Sequence, residues 1–194
     1  MTELAGPDAR VGVSANALDM ESGPERDEWL ETEMHALAGA GLSPVEVDLR
    51  EYYPRPETIG KVLAGLDIFW ATGGNVFVLR KALRRSRVDE VLLALLEDDR
   101  LAYGGCSAGA CVCSPTLRGI HLIDDAHAGG APIFDGLGLL PYSIAPHFGA
   151  DGEVGEGISR LVRYFDESGT PYRALRDGQA LVVRGEDSTQ IEFD

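Results

Sequence analysis

The sequence predicts an α/β domain built on a parallel sheet with helices on both faces. Three observations carry that prediction. Short apolar runs alternate with stretches of helical spacing, giving a β-α-β-α-β-α-β rhythm over the first hundred residues. Two of the runs end in glycine-rich turns, Gly73-Gly74-Asn75 and Gly104-Gly105-Cys106-Ser107, at the strand ends where open parallel sheets bind ligands. A chain of 194 residues holds one such domain with a core of its own and is too short for two ordinary ones. There is no internal repeat and no linker between domains.

Each element has a local reason. Arg10 to Ala15 is short, small and apolar enough for a buried first strand. Ser22-Gly23-Pro24 starts a helix, with Glu25, Asp27 and Glu28 in its first turn. Trp29, Leu30, Met34, Leu37 and Ala38 follow at helical spacing until Gly39-Ala40-Gly41. Pro44 to Leu49 alternates apolar and acidic, as a strand with one wet face does. Pro56 to Leu63 is a short helix, and Leu66 to Ala71 a more fully buried strand. Gly73-Gly74-Asn75 turns into a helix containing Val76, Leu79 and Leu83, and a second helix runs from Asp89 to Glu97. Arg100 to Tyr103 is the strand before Ser107. Pro115 to Phe134 has little periodicity and reads as a long loop. Leu137 to Leu140 and Tyr142 to Ala145 return the chain to the sheet and end at Pro146-His147-Phe148. Gly149 to Gly157 reads as a flexible acidic loop, and Ile158 to Phe165 as a helix. Arg173-Ala174-Leu175, Ala180 to Val183 and Gln190 to Phe193 are closing strands, with turns at Asp177-Gly178 and Glu186-Asp187-Ser188.

Composition excludes several functions. Thirty-two acidic against 17 basic residues give a net charge of −15, which argues against nucleic acid or an anionic membrane as partner. No apolar run approaches the roughly 20 residues that span a bilayer, and the first residues lack the pattern of a signal peptide. A cytoplasmic location is expected. Cys106, Cys111 and Cys113 are an odd cluster, better suited to reduced thiols than to a disulfide framework.

The chemistry concentrates at Gly105-Cys106-Ser107-Ala108-Gly109, a Gly-x-Ser-x-Gly pattern. A serine at a sharp strand-to-helix turn has its hydroxyl pushed out of the sheet, beside backbone N–H groups that can hold an oxyanion. Glycines flank it because side chains there would collide with the neighbouring strand or the helix start. If the strands before Gly73 and Ser107 are neighbours, the amides of Gly74 and Ala108 converge as an oxyanion hole. The alternative is that the glycines merely permit a tight turn. His147, after a strand and a proline, emerges at the same sheet edge, as a general base must. His35 is a mid-helix residue. His121, Asp124, Asp125 and His127 form a cluster that matches no zinc spacing.

Gly-Gly-Asn-x-Phe (73–77), Gly-Cys-Ser-Ala-Gly-Ala (105–110) and Gly-Leu-Gly-Leu-Leu-Pro…Pro-His-Phe (136–148) occur in that order. Together they resemble the aspartyl dipeptidase (dipeptidase E) and cyanophycinase family of serine peptidases, most closely from Phe69 to Phe148. The resemblance implies a single-domain, flavodoxin-like three-layer sandwich of the class I glutamine-amidotransferase type. It implies Ser107 as nucleophile, His147 as base, and the Gly74 and Ala108 amides as oxyanion hole. The family's third member is an acidic residue in a turn before a late strand, and Asp177 occupies that place where aspartyl dipeptidase has Glu. Asp124 and Asp125 compete for the role. The order Ser, His, acid differs from the α/β-hydrolase order.

The expected function is therefore hydrolysis of small peptides, with N-terminal aspartate as one candidate substrate, through an acyl-enzyme and without metal or organic cofactor. Asn75, Arg118, Asp124 and Asp125 are candidate substrate-binding residues, and Arg160, Arg163 and Arg173 further candidate cations. A non-catalytic binding or regulatory member of the same fold is the alternative, with a cyanophycinase- or esterase-type hydrolase behind it. The apolar C-terminal strands leave an edge that a second copy of the chain would pair with, as in a homodimer.

Overall fold

The computed structural model describes residues 6–193. Four parallel strands form its main sheet: β1 (Arg10–Ser14), β2 (Ser43–Glu46), β3 (Ile68–Ala71) and β4 (Ala102–Gly105). Their order is β2-β1-β3-β4. The order reverses between β1 and β3, so the site expected of an open parallel sheet lies beyond the carboxyl ends of β1, β3 and β4.

Helices cover both faces, as predicted. On one face, α1 (Gly23–Gly39) sets Leu30 and Leu37 against Val11, Val13 and Ile68. Its start follows the sequence signal closely. Ser22 accepts from the Glu25 N–H while the Glu25 carboxylate accepts from the Ser22 N–H, a reciprocal capping box. On the other face, α2 (Ile59–Leu63), α3 (Val76–Ser86) and α4 (Val88–Glu97) bury Leu63, Leu79, Leu83 and Leu92 around Phe69 and Ala71. Each such leucine contributes about 1.5–3 kcal/mol relative to an exposed one. Among the described residues, no helix is long and apolar enough to cross a membrane.

The second half of the chain departs from the prediction in its late strands and in the stretch 149–157. The late strands do not close the main sheet. β5 (Ser143–Ala145) and β6 (Tyr172–Ala174) form a separate parallel pair, and β7 (Gln179–Arg184) and β8 (Asp187–Glu192) a separate antiparallel hairpin. Instead of a sheet ladder, the short helix α5 (Ala108–Cys111) and the segment after it link β5 to the elbow. The Ile144 N–H donates to Ser114 Oγ, the Leu137 N–H to Val112 O, and the Leu140 N–H to Cys113 O.

The acidic stretch 149–157 is a loop only as far as Asp151. Helix α6 spans Gly152–Ser168. A Cβ at Gly155 would lie 1.8 Å from Ala150 O, so that glycine permits the tight entry into the helix rather than breaking it. Burial of Ile158, Leu161 and Phe165 outweighs the roughly 1 kcal/mol that each interior glycine costs.

Boundaries shift elsewhere. β2 stops at Glu46, because Asp48 accepts from the Arg50 N–H and caps a 3-10 turn over Leu49–Tyr52. The C-terminal hairpin turns at Gly185-Glu186, and Asp187 and Ser188 pair with Arg184 and Val183.

Candidate active site

β4 ends at Gly105, and two residues later Ser107 adopts φ 46°, ψ −109° before α5 begins. A non-glycine residue in this sparsely populated region must be held by its surroundings, and here the packing is tight. A Cβ at Gly105 would lie 2.7 Å from the Gly109 carbonyl carbon, and one at Gly109 would lie 2.1 Å from Ala71 O. Both glycines of the pattern are thus demanded by close approach of the helix start to β3 and β4. The Tyr103 hydroxyl donates to Gly109 O at 2.6 Å and fastens the same turn.

The β5–β6 pair brings the next two groups together. Its register sets Ala145 opposite Ala174, so residues just past the two strand ends become neighbours. His147 (φ 54°) follows β5 by two residues, and the Phe148 N–H donates to Leu175 O. Asp177 follows β6 by three. Its turn is fixed by the Gln179 N–H on Arg176 O, the Arg176 N–H on Gln179 Oε1 and the Phe193 N–H on Gly178 O.

His147 Nδ1 lies 2.7 Å from Asp177 Oδ1, and His147 Nε2 lies 3.0 Å from Ser107 Oγ. An ionised carboxylate only accepts, so the ring proton belongs on Nδ1 and Nε2 is left to accept from the serine hydroxyl. Asp177 rather than Asp124 or Asp125 is thus the carboxylate beside the imidazole. It is also exposed, with 75% of its side chain accessible against 37% for His147.

Cys106, next to the serine, points elsewhere. Its thiol lies 3.7 Å from Glu33 Oε1 on α1. Burial and the Glu33 charge push its pKa up to about 11, so it is a thiol at neutral pH. Cys111 and Cys113 are buried, and burial raises both, Cys113 to about 12.

A cavity of about 690 Å³ opens over Ser107, His147 and Asp177. The loop after α5 lines it with Ile120, Leu122, Ile123 and Asp124, and the start of α6 with Val154, Ile158 and Arg160. Desolvation raises the pKa of Asp124, whose carboxylate accepts from the Val76 N–H at 2.8 Å.

Of the predicted substrate residues and candidate cations, Asp124 and Arg160 line this cavity. Asn75 caps α3 and donates to Asp125 O, while the Asp125 carboxylate accepts from the His127 N–H. The Arg118 guanidinium lies over the Phe134 ring, 5.2 Å from its centroid, and that of Arg173 over Tyr142. Arg160 is the one arginine in the cavity wall among the described residues.

The histidine–aspartate cluster is dispersed. His121 Nδ1 accepts from the Gly119 N–H, and among the described residues no group of three or more potential ligands is placed to hold a metal. Sequence reasoning missed the contribution of Asp151, Glu153 and Val154 to the cavity. The helical repeat of Val154, Ile158 and Leu161 was the signal available, and the glycines between them masked it.

Comparisons with known proteins point to one family. The profile of Peptidase family S51 matches residues 21–191. Peptidase E of Streptomyces coelicolor is 31% identical over 156 residues, covering 78% of this chain and 60% of that protein. A Drosophila melanogaster protein named for alpha-aspartyl dipeptidase is 33% identical over 151 residues, covering 75% and 61%. The chain thus matches about three fifths of the length of these relatives. A crystal structure described as a peptidase E protein from Listeria monocytogenes EGD-e superposes with a TM-score of 0.84 at 23% identity. That match covers 100% of this chain and 91% of the other, and establishes the shared fold.

Proposed function

This chain belongs to peptidase family S51, and from that premise we propose that it is a serine peptidase of small peptides, acting through an acyl-enzyme on Ser107. The observation that carries the reading is the continuous relay from Asp177 Oδ1 through the His147 imidazole to Ser107 Oγ, at 2.7 and 3.0 Å. Both distances are within hydrogen-bond reach, as general-base activation of a serine requires.

In this reading His147 Nε2 takes the hydroxyl proton as Ser107 Oγ bonds to the peptide carbonyl carbon. The imidazolium then gives that proton to the departing amine, and the acyl-serine remains. Water attacks the ester by the same route and returns the serine. Asp177 keeps the proton on Nδ1 and stabilises the imidazolium. Among the described residues, the N–H groups of Gly74 and Ala108 donate to no acceptor in the molecule, which suits them to hold the oxyanion of each tetrahedral intermediate. Ile120, Leu122, Ile123 and Val154 give the cavity an aliphatic wall. Arg160, in the cavity wall, meets a substrate carboxylate in this reading, whether that of an N-terminal aspartate or of the peptide's C-terminus.

Steady-state hydrolysis of a dipeptide library by the purified protein tests the proposal. Turnover of free dipeptides by the wild type, absent in Ser107→Ala and retained in Cys106→Ala, is the expected result. Activity that survives Ser107→Ala and is lost with Cys106 would overturn it.

A further inference from the structure

The loop after α5 does more than wall the cavity: it is tied at four points to the turn and helix that carry Gly74. The Val76 N–H donates to Asp124 Oδ2 at 2.8 Å, and Asn75 Nδ2 donates to Asp125 O at 2.9 Å. Further along α3, Lys81 Nζ donates to Gly129 O, and Arg80 Nε to Asp135 O. Asn75 faces both ways, because its Oδ1 also accepts from the Phe77 and Val78 N–H groups.

On its other side the turn is pinned to the segment after β1. The Asn75 N–H donates to Ala17 O at 2.9 Å. Gly74, at φ +130°, passes so close that a Cβ there would meet the same oxygen at 2.7 Å. The turn also abuts the elbow, since a Cβ at Gly73 would lie 3.4 Å from Ser107 Cβ.

We propose that Asn75 and Asp124 are positioning residues: they clamp the glycine turn between the cavity loop and Ala17, and so hold the Gly74 N–H where the oxyanion forms. The inference rests on the serine-peptidase reading and adds to it a role for two residues outside the Ser-His-Asp relay. A backbone donor acts on a transition state only if its position is fixed before the reaction. Gly74 has no side chain to anchor it, so its neighbours must. The Asp124 carboxylate also puts a negative charge at the first turn of α3, where the helix dipole favours it. Because Asp124 lies in the cavity wall as well, a substrate that displaces this loop would also move the donor.

The test compares three variants by steady-state kinetics with a dipeptide substrate. It adds inhibition by a peptide aldehyde, whose hemiacetal oxygen occupies the oxyanion position. Asp124→Ala removes the acceptor for the Val76 N–H. It is expected to lower kcat by about 10²-fold, the loss typical of one oxyanion donor, with KM within about threefold. Aldehyde affinity should fall in parallel with kcat. Asp124→Asn keeps an oxygen that can accept from Val76 and should recover most of that loss. Asn75→Asp keeps the helix cap but removes the donor to Asp125 O, and should lower kcat by about 10-fold. It carries the test if Asp124→Ala does not fold.

A raised KM with unchanged kcat in both Asp124 variants would mean that the carboxylate touches substrate, and would overturn the proposal. So would unchanged kcat and aldehyde affinity in Asp124→Ala and Asn75→Asp. Those outcomes leave the serine-peptidase reading standing. A wild type without turnover would overturn that reading, and the clamp's catalytic role with it.

Discussion

The two turns that meet at the His147 imidazole are held in opposite ways. At the elbow, Ser107 sits in a strained conformation enclosed by backbone, with Gly109 tight against Ala71 O and Tyr103 bonded to Gly109 O. At the other end, Asp177 stands on an exposed turn between a two-stranded pair and a hairpin whose residues are mostly exposed or half-buried. The elbow is fixed by packing, and the acid turn by a few backbone hydrogen bonds. Substitutions of the elbow glycines should therefore damage fold and chemistry together, whereas those at the acid turn should damage chemistry alone.

Four substitutions sharpen or break that contrast. Ser107→Ala should lower kcat by on the order of 10⁴–10⁶, as nucleophile removal does in other serine peptidases, while thermal unfolding stays cooperative. Asp177→Asn should lower kcat by on the order of 10³–10⁴ through the wrong imidazole tautomer, and its exposed position should leave the denaturant midpoint within experimental scatter. An equal loss of stability would show that the acid turn is packed more like the elbow than its exposure indicates. Gly109→Ala should cost about 2–4 kcal/mol in denaturant unfolding, because its Cβ cannot avoid Ala71 O without moving backbone. Cys106→Ala should change kcat less than about threefold. With its pKa at about 11, the thiolate gains tenfold per pH unit below that value. Alkylation of Cys106 by iodoacetamide, followed by mass spectrometry, should therefore be slow at pH 7.5 and rise tenfold per unit between pH 8 and 10.

The same contrast explains what could be read from the sequence. Local rules predicted the helix start at Ser22, the Asn75 turn and the elbow glycines, because each depends on neighbours a few residues away. His147 and Asp177 were placed by strand order and family resemblance, and their meeting depends on a β5–β6 register that no local pattern encodes. The separation of those strands from the main sheet was invisible for the same reason, since Ser114 rather than a strand receives the Ile144 N–H. The start of α6 was hidden because Gly152, Gly155 and Gly157 read as breakers, although burial of Ile158 and Leu161 decides the matter. Nothing in the sequence ranks Arg118 against Arg160, Arg163 and Arg173, and its guanidinium packs over Phe134. Arg160 reached the cavity wall through the helix whose beginning was missed.

Fluorophosphonate labelling read by peptide mass spectrometry tests the central claim most directly, because only a serine activated by a neighbouring base reacts readily. The wild type is expected to carry one phosphonyl group, on Ser107. His147→Ala should label at least 10²-fold more slowly, and Ser107→Ala should not be labelled at that position. An unlabelled wild type, or labelling of Ser107 at the same rate without His147, would contradict the account.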